Sequence, residues 1–120
     1  MKIIIQGGTI VNEGRSLRRD ILIEDNSIAA LFDPSETPRG IYDKIIDASG
    51  CFVFPGIIDT NVHFREPGLT RKADIESESR AAAFGGITSY MEMPNTSPQT
   101  TTPEAWQEKM TLAAHKSHVK

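Results

Sequence analysis

Four polar side chains, Asn61, His63, Arg65 and Asn95, have the types and spacing to engage a small polar ligand. An imidazole such as His63 can hold a proton or a metal. Arg65 offers a charged fork to a carboxylate and Asn95 an amide donor. Successive residues of a strand face opposite ways, so Asp59, Asn61 and His63 share one face of the run 57–63, and Thr60 and Val62 share the other. Arg65 continues that row only if the chain stays extended past His63. Asn95 follows Pro94, just beyond the next strand-like run. In a parallel α/β barrel the C-terminal strand ends hold the active site, and two consecutive ends here deliver polar groups to one rim.

Three of these residues also have a plainer reading. His63 could be a hydrogen-bonded strand residue, Arg65 the surface partner of Glu66 or another nearby acid, and Asn95 simple turn chemistry after Pro94. His115 and His118 are three apart in what reads as a helical tail, and with no third ligand nearby a solvated face is favoured. Lys72 reads as a surface lysine. Cys51 lies in an apolar run with no adjacent histidine, and reads as a small buried hydrophobe rather than a nucleophile.

The elements that must position these groups change character near Cys51. Before it, β-branched runs alternate with turn residues: Ile3–Ile5, Thr9–Val11, Ile21–Ile23, Ile28–Leu31 and Ile45–Asp47. Glu24-Asp25-Asn26-Ser27 reads as a hairpin turn, and Arg15, Arg18 and Arg19 as a solvated loop. This part, residues 1–52, predicts a small antiparallel β module with a thin core. From 53 to 120 the pattern becomes strand, helix, strand, helix. Pro55-Gly56 breaks the first strand. Asp74 to Phe84 predicts a helix with acids in its first half, stopped by Gly85-Gly86. Ile87 to Met93 predicts a strand. Thr101 or Thr102 can cap a second helix that has Pro103 near its first position. Trp106, Met110 and Ala113 recur at helical spacing, as core packing would. That helix is expected to run through His115–Lys120 without a cap. Alternating strands and helices imply a parallel sheet with right-handed crossovers. Such a sheet is covered on both faces, which two units cannot do. The expected fold is therefore α/β, the start of an eight-stranded barrel of the TIM type after part of a small β-sandwich. It is incomplete within these residues.

The net charge of −3 and a pI near 5.6 lack the basic stripe that nucleic acid or anionic membranes require. One cysteine permits no internal disulfide. The apolar start at Ile3–Ile5 is too short for a signal peptide, and a reducing cytoplasm is the expectation.

The stretch from Pro55 to Gly68 resembles the amidohydrolase signature in which Pro-Gly leads into Asp-x-His-x-His, and its Arg65-Glu66-Pro67-Gly68 tail resembles the dihydroorotase form. Gly85-Gly86-Ile87-Thr88 and Met93-Pro94-Asn95-Thr96 are similar to that family's next landmarks, so the likeness covers essentially the whole chain. The resemblance implies reversible hydrolysis of dihydroorotate to carbamoyl-aspartate in pyrimidine synthesis by a metal-activated water. It implies that His63 is a zinc ligand and that His63, Arg65 and Asn95 contact substrate. It places the catalytic base and the remaining ligands beyond Lys120, so these 120 residues alone are expected to be inactive. The expected partners are the small-molecule substrate and the rest of the same chain, with a homodimer allowed.

Asn61 stands where the family pattern has its first histidine. A carboxamide is a poorer zinc ligand than imidazole. One or two zinc ions remain open, with the Asn61 position weakened. Three outcomes stay open: an active mononuclear enzyme, an empty or weak first metal position, or a non-catalytic dihydroorotase-like subunit. A hydantoinase- or allantoinase-type amidase is a further alternative. Its substrates lack the ring carboxylate that would explain Arg65 with Asn95.

Overall fold

Short β-branched runs between turn residues become strands throughout the first half of the chain. The computed structural model describes residues 1–120, and the chain divides into two units, Met1–Pro55 and Gly56–Lys120. The first unit holds β1 (Lys2–Gln6), β2 (Thr9–Asn12), β3 (Arg15–Arg18), β4 (Asp20–Glu24), β5 (Ser27–Phe32), β6 (Lys44–Asp47) and β7 (Phe52–Val53). They form two sheets, ordered β5-β4-β1-β6 and β3-β2-β7. The hairpin through Asp25-Asn26 joins β4 to β5 as expected.

Three expectations for this unit need correction. The module is mixed rather than antiparallel, because β6 returns after a long connection to lie parallel to β1, and β7 lies parallel to β2. The arginine-rich stretch is strand β3, not a loop. Glu13 and Gly14, with φ of 49° and 72°, supply the two left-handed residues of a tight hairpin from β2. Arg19 then pairs with Asp33 at 3.1 Å. Cys51 is exposed, since its residue leaves a turn at Gly50 before the two-residue strand β7. The core is thin: Ile4, Ile21 and Ala48 are the unit's buried apolar side chains.

The second unit holds β8 (Ile57–Val62), α1 (Ile75–Phe84), β9 (Ile87–Glu92) and α2 (Pro103–Lys116), with β8 and β9 parallel. Local chemistry sets the helix ends. The Asp74 carboxylate accepts the Ser77 N–H at 2.8 Å, and Gly85 and Gly86 (φ +83°) end α1. The Thr102 hydroxyl accepts the Ala105 N–H at 3.2 Å. Val62, Phe64, Ile75 and Ala82 form the core, with Ile87, Tyr90, Leu112, Ala113 and Val119 packed against it. The Phe64 and Tyr90 rings lie 4.6 Å apart at 51°.

Helix α2 departs from expectation in two ways. Ala113 packs on the core, but Trp106 and Met110 are about half exposed and line an open cleft with Tyr90 and Met91. The buried residue of this helix is Lys109. The helix also ends at Lys116 rather than running on. Ser117 is extended, with its N–H on the Ala113 carbonyl, and the His118 N–H donates to the buried Ser79 hydroxyl at 3.0 Å. Lys120 then pairs with β9: its N–H reaches the Thr88 carbonyl at 3.0 Å, and its carbonyl accepts the Tyr90 N–H at 2.8 Å. No helix is long and apolar enough to cross a membrane.

Candidate functional site

The two strand ends of the second unit carry the polar groups singled out above, and their backbone is irregular where those groups sit. Asp59 pairs with Tyr90 and Val62 with Glu92, so three steps on β8 oppose two on β9. One extra residue is accommodated there, a bulge. The Asp59 carboxylate accepts the Asn61 N–H at 3.0 Å. The extra residue falls between Asp59 and Val62; from there Asn61 and His63 are exposed and Val62 and Phe64 buried, so alternation continues past the bulge.

Beyond the bulge, the Met93 N–H donates to the Val62 carbonyl at 3.0 Å, and Pro94 then has no N–H to offer. The Phe64 N–H turns instead to the Glu92 carboxylate at 2.8 Å. The Lys109 ammonium forms an ion pair with that carboxylate and donates to the Met93 carbonyl at 3.2 Å. No other donor reaches Glu92 Oε2. Burial pushes the Lys109 ammonium below the ordinary lysine value.

His63 and Asn95 meet across the rim. Asn95 Nδ2 lies 2.8 Å and Oδ1 3.1 Å from His63 Nδ1. Two pairings fit these atoms. Either Asn95 Nδ2–H donates to an unprotonated Nδ1, or Nδ1–H donates to Oδ1 and leaves a lone pair on Nε2. Arg65 leaves the strand line with φ of +66°, a left-handed conformation uncommon for a side-chain-bearing residue. It forms no ion pair, because Glu66 is buried and committed elsewhere. Glu66 accepts the Ile75 N–H at 3.0 Å and pairs with Lys116, capping α1 from outside the helix.

Gly68 (φ +84°) lets the two rim loops touch, since a Cβ there would collide with the Ser97 carbonyl. The Ser97 N–H donates to the Pro67 carbonyl at 3.0 Å. Buried Thr96 closes the second loop through the Pro98 carbonyl at 2.7 Å and the Thr100 hydroxyl at 2.8 Å.

No three His, Cys, Asp or Glu side chains converge anywhere in the chain. His115 and His118 are exposed, and His118 lies outside the helix. The donors beside each other in sequence are one imidazole and one carboxamide. A tetrahedral zinc site needs three or more good donors, so these residues do not by themselves fit the ion. Four residues of this region, Glu66, Glu92, Lys109 and Lys116, had no role in the sequence reading beyond a surface pairing for Glu66.

The "Dihydro-orotase-like" family model matches residues 50–117, which span the rim and both helices. The chain belongs to the dihydro-orotase-like family. It is 45% identical over 104 residues to a dihydroorotase of Lactobacillus helveticus, covering 87% of this chain and 23% of that protein. A dihydroorotase of Syntrophotalea carbinolica is 43% identical over 122 aligned positions, covering 100% of this chain and 28% of its own length. The chain thus spans about a quarter of these family members. Among solved structures, the L-hydantoinase (dihydropyrimidinase) of Arthrobacter aurescens aligns with a TM-score of 0.91 and 35% identity, covering 98% of this chain and 26% of that one. A D-hydantoinase aligns with a TM-score of 0.83 and 34% identity over 100% of this chain and 26% of its own.

Proposed function

We propose that the whole protein is a cyclic amide hydrolase acting on dihydroorotate, and that the Gly56–Lys120 unit opens its parallel α/β barrel. The observation that carries this reading is the His63–Asn95 contact at the rim, with Arg65 unpaired nearby. In either pairing the Asn95 amide keeps at least one N–H that is not given to His63. That donor and the Arg65 guanidinium suit the ring carboxylate, by charge-assisted bonds. Arg65 stands at a left-handed φ of 66°, where the chain leaves the strand line beside His63.

In the forward direction water adds to the ring carbonyl, the C–N bond breaks, and the departing nitrogen takes a proton to give carbamoyl-aspartate. Within these residues the chemistry is binding and orientation, and the base belongs to the rest of the protein. A zinc ion in the whole protein would find one strong donor here, His63 Nε2, and Asn61 as a weak neighbour.

A second reading follows from the hydantoinase structures, which align over nearly the whole chain. A hydantoin ring presents no carboxylate, so it gives Arg65 and Asn95 no task. The deciding experiment assays the full-length protein on dihydroorotate and on an uncharged hydantoin, as wild type and as Arg65→Ala. Loss of one charged hydrogen bond, about 1.5–3 kcal/mol, raises KM for dihydroorotate by roughly 10- to 150-fold. Turnover of hydantoin alone would favour the second reading. Absence of any turnover would point to a non-catalytic subunit.

A further inference from the structure

Parallel strands exchange evenly spaced backbone bonds. β8 and β9, interrupted by the bulge between Asp59 and Val62, still end on a rung, the Met93 N–H on the Val62 carbonyl. The next rung would join the Phe64 N–H to the Met93 carbonyl. That bond is not made. The Phe64 N–H goes to the Glu92 carboxylate at 2.8 Å, and the Met93 carbonyl accepts from Lys109 at 3.2 Å, while Glu92 and Lys109 pair with each other. The ion pair is spliced into the ladder in place of one rung.

We propose that Glu92 and Lys109 are positioning residues that set the spacing of the two rim loops and so the meeting of His63 and Arg65 with Asn95. Phe64 lies between His63 and Arg65, and Met93 lies two residues before Asn95. A direct rung would draw these two strand ends together. The inserted carboxylate and ammonium hold them apart by a fixed amount, through charge-assisted bonds shorter and stronger than neutral ones. Their side chains are 8% and 10% exposed, so solvent and salt loosen the pair little. Stability alone is a poor account of such a pair, since apolar replacements of similar volume often stabilise as well or better. Geometry is the better account: each half of the pair grips the backbone of a different rim loop.

In its kinetic arm this inference rests on the dihydroorotate reading above; its exchange arm does not. In the full-length wild type, the Phe64 amide should exchange with deuterium as slowly as the Met93 amide. The variants are Lys109→Met and the charge-balanced Glu92→Gln/Lys109→Met. Both should exchange faster at Phe64 and raise KM for dihydroorotate by about 10- to 100-fold, as small misplacements of binding groups do. Their kcat should fall much less, and the double variant should keep the wild-type melting temperature within a few degrees. Lys109→Arg, which keeps the charge, should recover part of the KM. Unprotected Phe64 in the wild type would overturn the proposal even if no variant folds. So would a folded double variant with unchanged KM and unchanged Phe64 exchange. A wild type that protects Phe64 but never turns over dihydroorotate would sink the functional reading and leave the positioning role standing.

Discussion

Replacing Glu66 tests whether a loop residue, rather than the helix itself, holds the start of α1. The Glu66 carboxylate takes the Ile75 N–H at 3.0 Å, and Ile75 is 1% exposed, so no water can substitute. Glu66→Ala leaves that donor buried and unmet, at a cost of about 1–3 kcal/mol. It also frees Lys116, whose side chain is 40% exposed and returns to water, so this part of the pair adds about 0–1 kcal/mol. The total loss is about 1–4 kcal/mol. Glu66→Gln keeps an oxygen for the Ile75 N–H and gives up only the charge, at about 1 kcal/mol. Lys116→Met is expected to cost more than Glu66→Gln, because it strands a buried carboxylate. Urea unfolding of the full-length protein measures all three. An alanine variant within about 0.5 kcal/mol of wild type would refute the reasoning. So would a glutamine variant as unstable as alanine, which would assign the effect to charge rather than to the Ile75 donor.

Asp74 is held below its ordinary pKa of 3.8, first by the Ser77 N–H, so its contribution to stability is present above that value and lost as pH falls through the lower folded one. Asp74→Asn, which keeps a capping oxygen, should flatten the stability-versus-pH curve below pH 3.8; an unchanged slope would disprove the cap's part in it. Gly68→Ala forces a Cβ into the Ser97 carbonyl at a left-handed φ, so the melting temperature should fall by the equivalent of at least about 1 kcal/mol, and KM for dihydroorotate should rise. Wild-type behaviour in both respects would show that the two rim loops move independently.

What could be read from the sequence was mostly what short-range chemistry decides. Asp74 and Thr102 cap their helices because each side chain reaches an N–H three residues on, a relation visible in any local window. The strand-helix-strand order, and the place of His63 and Asn95 just after β8 and β9, follow from the same kind of pattern. The errors came from partners far apart in the chain. Trp106 and Met110 fit a helical stripe, yet the core meets α2 at Leu112 and Ala113, and periodicity does not say which stripe faces inward. The parallel return of β6 beside β1 joins residues about forty apart and leaves no local mark. Nothing local marks Glu92 and Lys109 as a buried pair, since they are brought together from a strand end and a helix seventeen residues apart. The bulge between Asp59 and Val62 is similarly invisible, because an extra residue in a strand shows only against its partner.

The pairing of Lys120 with β9 links the opening of distant segments. The Tyr90 amide, in the middle of a strand, is covered by a carbonyl thirty positions later, and the segment leading to it is tied to α1 through His118 and Ser79. The amide of Tyr90 can therefore exchange only when residues after α2 have let go. Strand, helix and the segment after α2 are thereby expected to open together on the timescale of hydrogen exchange. Release of the segment after α2 would unlock the strand that carries Glu92.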